Sequence, residues 1–141
     1  MSEYTNPRSP KDEIQGIVYL PRLCDKARLH AKGELHPDYA PNLGIAMDQW
    51  ACELFRVSYQ EVVDKLVKEN FTDEQLLEWL HADHYQPSAE EIGWWNSYMR
   101  NRGFRDDLSD LLKQRKEEAG FGDRDELKAF FDFLDADEGR S

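Results

Sequence analysis

Three capping boxes fall in the middle of the chain: Ser58 with Glu61, Thr72 with Gln75, and Ser88 with Glu91. Each places a side-chain acceptor at a helix start and a reciprocal acid or amide three residues on, so each fixes where a helix begins. Behind them run apolar stripes at three-and-four spacing: Tyr59, Val62, Val63 and Leu66; Leu76, Leu77 and Leu80; Ile92, Trp95 and Met99. No segment alternates with a period of two, so the class is all-α, with strands nearly absent.

The remaining elements follow from stop signals and stripes. Ser9-Pro10 reads as the cap and first turn of a short helix through Gln15. A second opens at Pro21, buries Leu20, Leu23, Cys24, Ala27 and Ala31, and stops at Gly33. Residues 34–44, with two prolines, are the longest internal loop, after which Met47, Trp50, Ala51, Leu54 and Phe55 resume a helical face. Beyond the stop at Gly103, Leu108, Leu111, Leu112 and Ala119 mark another helix. A last one is predicted from about Asp123 through Leu127, Phe130, Phe131 and Leu134, with a fraying acidic end. About seven short helices with tight turns suit an irregular or orthogonal bundle, because an up-and-down bundle needs longer ones. The organisation is a flexible arm over residues 1–8 and a single helical domain over residues 9–141.

Four Trp, six Tyr and seven Phe supply apolar volume enough for one core in 141 residues without disulfides or metal. The two cysteines, Cys24 and Cys52, lie on or beside apolar stripes and are read as reduced core residues, not thiol nucleophiles. The N-terminus lacks the apolar core of a signal peptide, and no run approaches a membrane span, so a cytoplasmic protein with no membrane contact is expected. A net charge of −11 repels phosphate backbones and disfavours nucleic acid as a partner.

A run of short motifs carries a family likeness: Leu20-Pro21-Arg22, Lys26-Ala27-Arg28, Trp79-Leu80, Trp95-Asn96, Met99-Arg100, and the ending Phe131-Asp132-Phe133-Leu134-Asp135 with Asp137-Glu138-Gly139-Arg140. In this order, from Pro10 to Arg140, the chain resembles the bacterial domain of unknown function 5069, an uncharacterised family. The resemblance implies a bacterial, cytosolic, stand-alone domain and transfers no catalytic or binding residue.

Chemistry must therefore be sought in the residues themselves. Glu78 and His81 share a helical face, with Asp83 and His84 following, but the second Glu-x-x-His pair of a di-metal bundle is missing: Ala27, Gly33 and His81 precede the other histidines by three. No metal and no cofactor is expected. Phosphate loops, nucleophile elbows and kinase signatures are absent from the sequence. Basic residues gather on the second helix (Arg22, Lys26, Arg28, Lys32) and around Gly103 (Arg100, Arg102, Arg105); they read either as solvated faces with dipole compensation or as an anion or acidic-peptide site. Trp94 lies well round its helix from the buried stripe, with Tyr98 on its side, and reads either as a second core contact or as a partner-binding surface.

The candidate binding residues are thus Arg22, Lys26, Arg28, Trp94, Asn96 and Arg100, for a protein partner or a small anionic ligand. The leading expectation is a binding module without catalysis; the alternative is an enzyme with a carboxylate and arginine site in an interhelical cleft. A concave pocket of convergent charges would favour the enzyme, and a flat aromatic patch the module. The oligomeric state is left open. The basic face of the second helix is also expected to meet the acidic terminus, through Arg22 with Asp137 and Arg28 with Asp135.

Overall fold

The computed structural model describes residues 3–140. A minimal hairpin, β1 (Glu13–Ile14) and β2 (Ile17–Val18), leads into α1 (Leu20–Ala31); a 3₁₀ turn (Pro37–Asn42) and α2 (Met47–Leu54) follow. Next come α3 (Tyr59–Val63), prolonged by a π turn (Asp64–Lys68), then α4 (Asp73–Asp83), α5 (Ala89–Asn101), α6 (Ser109–Glu118) and α7 (Phe130–Asp137). The short helices form an irregular bundle. Its core gathers Tyr19, Leu23, Phe55, Leu66, Leu77 and Met99 from α1 through α5. Among the described residues no helix is long and apolar enough to cross a membrane.

The capping boxes start α3, α4 and α5 where expected. Thr72 with Gln75 and Ser88 with Glu91 close reciprocally; at Ser58 the Glu61 carboxylate takes the serine hydroxyl instead of the backbone N–H. α1 begins at Leu20 with Pro21 in its first turn, where a missing N–H costs nothing, and Gly33 at φ 72° ends it.

Two predicted helices are corrected. Residues 9–15 form a turn and β1, because Gln15 and Gly16 both adopt positive φ (48° and 82°), the conformation of a tight hairpin turn, and Ile14, Ile17 and Val18 then bury as a short ladder. The last helix starts at Phe130, not near Asp123: Asp132 accepts the N–H groups of Ala129 and Lys128, and this carboxylate at the third helical position sets the start. The segment before it is held as turns by bonds such as Leu127 N–H to the carbonyl of Arg124.

Residues 5–8 and 138–140 are fastened as well. Met1, Ser2 and Ser141 lie outside the described residues. Thr5 donates its N–H to the carbonyl of Glu34, Pro7 is buried, and Arg8 binds both oxygens of Asp25 and one of Asp73, so residues 5–8 are not a loose arm. At the other end Glu138 is enclosed, and Arg140 donates to the carbonyl of Pro7 and the carboxylate of Asp135.

Candidate functional site

Two places concentrate polar or aromatic groups that sequence analysis singled out. The first is buried beneath the 34–46 segment. Asp48, in the first turn of α2, is fully enclosed; it accepts the Tyr19 hydroxyl at 2.6 Å and the Lys26 ammonium at 3.0 Å on one oxygen, and the Gly44 N–H at 3.0 Å on the other. Burial pushes the Lys26 ammonium below its usual pKa, and the Asp48 carboxylate acts against that shift. Burial, with the Asp48 charge behind it, drives the Tyr19 phenol well above its ordinary value.

Backbone geometry closes this network. Tyr19 is left-handed at φ 78° and Ala46 lies at φ 51°, ψ −120°; both are costly for residues with a Cβ and persist where surrounding contacts over-determine them. Gly44, at φ 76°, admits no side chain, since a Cβ there would sit 2.8 Å from the Tyr59 ring. One α1 turn before Lys26, Arg22 makes two hydrogen bonds with Glu138, at 2.9 and 2.6 Å, and Tyr39 donates its hydroxyl to the same carboxylate at 2.6 Å. Both partners are desolvated, their side chains only 3% and 4% exposed. Arg22 and Tyr39 hold the Glu138 carboxylate below the usual range against the opposing effect of burial.

The basic face of α1 and the acidic terminus therefore do meet, but with different partners from those expected. Arg22 takes Glu138, Asp137 is exposed, and Arg28 turns to Asp73 and the carbonyl of Phe71. Asp135 receives Ser9 and Arg140. The Arg22–Glu138 contact is buried, so it ties residue 138 onto α1 instead of decorating the surface. Among the sequence candidates, Arg22, Lys26 and Arg28 are thus each committed to a carboxylate of this chain.

Asn96 and Arg100 are committed too. Asn96 accepts the Val18 N–H and donates to the carbonyl of Gly16, so one amide holds the turn and β2 together; Trp95 adds a bond from its indole N–H to the carbonyl of Val18. Arg100 pairs with Glu13 at 2.9 Å. These residues fix α5 on β2 and leave its opposite face outward.

That outward face is the second place. Trp94 is 66% exposed and Tyr98, one turn on, is 46% exposed. Together with Leu54, Glu91 and Trp95 they line a shallow, open depression of about 310 Å³. Tyr98 is braced from behind: its ring meets Trp50 edge-on, and the Arg102 guanidinium lies 4.9 Å from the centroids of both rings. Asp106 and Asp107 hold Arg102 there, and its buried Nε has no partner. Sequence reasoning reads Arg102 as helix-end charge or as part of an anion site; its stacking depends on α2 meeting α5, which no local pattern reveals. A further groove of about 420 Å³ runs between α6 and the turns that precede α7. Its floor is Leu112 and Leu127, and its charged lining, Lys113, Glu117, Asp125 and Lys128, is exposed.

The histidines weighed as metal ligands are held by different partners. His81 packs against Phe55 with its Nε2 buried and unpartnered, whereas His84 reaches Glu61 at 3.2 Å and meets Trp79 edge-on. Among the described residues no group of His, Cys, Asp and Glu has metal-holding geometry. Both cysteines are buried; burial raises the Cys24 thiol strongly and pushes Cys52 up to about 12.

The fold and these places define a small, irregular, predominantly helical protein with a closed polar interior and an exposed aromatic face on α5. The chain belongs to the domain of unknown function family DUF5069, whose profile matches residues 4–140. A search of curated proteins finds no match.

Proposed function

We propose that the protein is a cytoplasmic interaction module, without catalytic activity of its own, that binds another protein through the outer face of α5. The observation that carries this reading is Trp94, two-thirds exposed beside Tyr98 over an open depression. A large aromatic ring left in water is costly to keep there, and Trp and Tyr at the centre of a flat patch are the residues that contribute most to protein association. The charged cluster that converges most tightly, around Asp48, supports the same reading: its donors and acceptors satisfy one another and leave no seat for a substrate. A nucleic-acid partner is disfavoured by the charge of −11 and by the internal pairing of the α1 cations. The buried, unpaired cysteines fit a reducing compartment.

A benzophenone side chain placed at position 94 tests the reading by photo-crosslinking in cells, with the same group at exposed Val67 as the control. The expected result is a discrete adduct at position 94 that is lost when Tyr98→Ala is added and that is absent from the control. No adduct, or one indifferent to Tyr98→Ala, would overturn it.

A further inference from the structure

We infer that the partner of the α5 face is a second copy of this chain, with the two α5 helices packed antiparallel about a twofold axis. The inference rests on the reading of that face as an interaction surface and names its occupant.

Three features of one helix face point to a self-complementary contact. The first is Gly93. It sits inside α5 with ordinary helical φ, it is exposed, and a Cβ added there would meet nothing within 4 Å. Glycine in a helix interior costs about 1 kcal/mol relative to alanine, and nothing in the protomer requires it. An exposed helical glycine leaves the backbone open to close approach by a side chain from outside. The second feature is spacing. Gly93 and Ser97 are one turn apart and both exposed, which makes a shallow trough; Trp94 and Tyr98, also one turn apart, make the neighbouring ridge. With the axis passing between positions 95 and 96 of two antiparallel helices, Trp94 lies over the partner's Ser97, and Tyr98 lies over the partner's Gly93. Ridge enters trough twice, once in each direction, as an isologous interface requires.

Charge is the third feature. Glu90 opens the face one turn before Trp94, and Arg105 follows the helix end by four residues, past the turn at Gly103, with its guanidinium 5.8 Å from the centroid of the Phe104 ring; both are exposed, and neither has an ion pair within the described residues. Antiparallel packing brings the acidic start of each helix toward the amide of the partner's Asn101 and the partner's Arg105, and it opposes the two helix dipoles favourably. A parallel arrangement would place like charges together. One helix pair buries less than a standard interface of about 1,600 Å², so the expected dimer is reversible and of micromolar affinity.

Sedimentation velocity on the purified full chain, over a concentration series, tests this. Wild type is expected to shift from monomer to dimer across the micromolar range. Trp94→Ala should weaken the dimer by at least about tenfold, with little effect on the monomer, because the ring is exposed. Gly93→Gln separates the two roles of that position. Gln is the better helix former, so the monomer should melt at a higher temperature, while the filled trough should weaken the dimer by about tenfold. Glu90→Arg and Arg105→Glu should each weaken it, and the double exchange should restore it. A wild type that stays monomeric to the solubility limit, or a dimer unmoved by Trp94→Ala and Gly93→Gln, overturns the inference. The crosslink at position 94 keeps the two failures apart: an adduct heavier than one chain but not of twice its mass retains the interaction face and removes the second copy.

Discussion

Replacing Asp48 by Asn should leave Lys26 as a cation with no counter-charge in a closed interior. At 3.0 Å and an effective dielectric of about 20, the gross attraction between the two is roughly 5 to 6 kcal/mol, so the ammonium cannot simply remain. Its alternative is to lose the proton. From the ordinary value of 10.5, neutralising a lysine at pH 7 costs about 5 kcal/mol, which caps the penalty and agrees with the roughly 3 to 5 kcal/mol usual for breaking a buried pair. This mechanism has a signature in pH. In Asp48→Asn the native state holds neutral Lys26 while the unfolded chain binds the proton, so stability rises with pH above 7, by up to about 1.4 kcal/mol per unit, until the unfolded value is reached. Denaturant unfolding of wild type, Asp48→Asn and Lys26→Met/Asp48→Asn between pH 7 and pH 10 measures this. The double variant has no cation to neutralise, so it should recover much of the loss and show none of the extra pH slope. A single variant that costs under about 1 kcal/mol, or whose loss does not shrink with pH, would refute the reasoning.

Two further outcomes are expected. Glu138→Gln should destabilise by about 3 kcal/mol, since Arg22 is left buried with its carboxylate neutralised. Because the native Glu138 pKa lies below its ordinary value, its contribution is present above about pH 4.5 and is lost as pH falls through the native value, and the variant should lose that part of the acid dependence seen in urea titrations. Cys24 and Cys52 should label with a thiol reagent only as fast as the protein opens, because both are buried and their thiols are held protonated; rapid labelling of either in the folded state would contradict that.

What was legible in the sequence was whatever is decided within a few residues. Ser58, Thr72 and Ser88 each announce a helix through an atom three positions away, and α3, α4 and α5 begin there. Where the deciding partner is distant, local reading failed. Residues 9–15 carry a proline-led start that reads as a helix, yet Asn96 and Trp95, about eighty positions on, hold the Gly16–Val18 side of a hairpin there. The acidic end is expected to meet the basic face of α1, but a run of acids does not say which of them pairs, and Glu138, not Asp137, is selected from it by Arg22 and Tyr39. Lys26 is the sharpest case: on a helical wheel it belongs to the polar face, and only the left-handed turn at Tyr19 and the closure of residues 44–48 convert that face into interior.

The same distinction separates α5 from α1, and it decides which of them can meet a partner. Both helices carry polar or aromatic residues away from their apolar stripe, and from sequence either could have been the binding surface. On α1 those residues are cations, and a cation of a chain with 29 acidic residues readily finds an internal carboxylate, as Arg22, Lys26 and Arg28 do. On α5 the far-side residues are Trp94 and Tyr98, which no carboxylate neutralises and which only apolar surface can cover. The inner side of α5 is already taken by the hairpin through Trp95 and Asn96, and Arg102 and Trp50 brace Tyr98 from behind. The helix is therefore rigidly presented, with a ridge and trough facing water and no element of the described chain placed to bury them. Burying such a face releases water from two large rings, a gain that association alone can collect, and this is why we propose the surface of α5, not the charged face of α1, as the place where this protein would meet a partner.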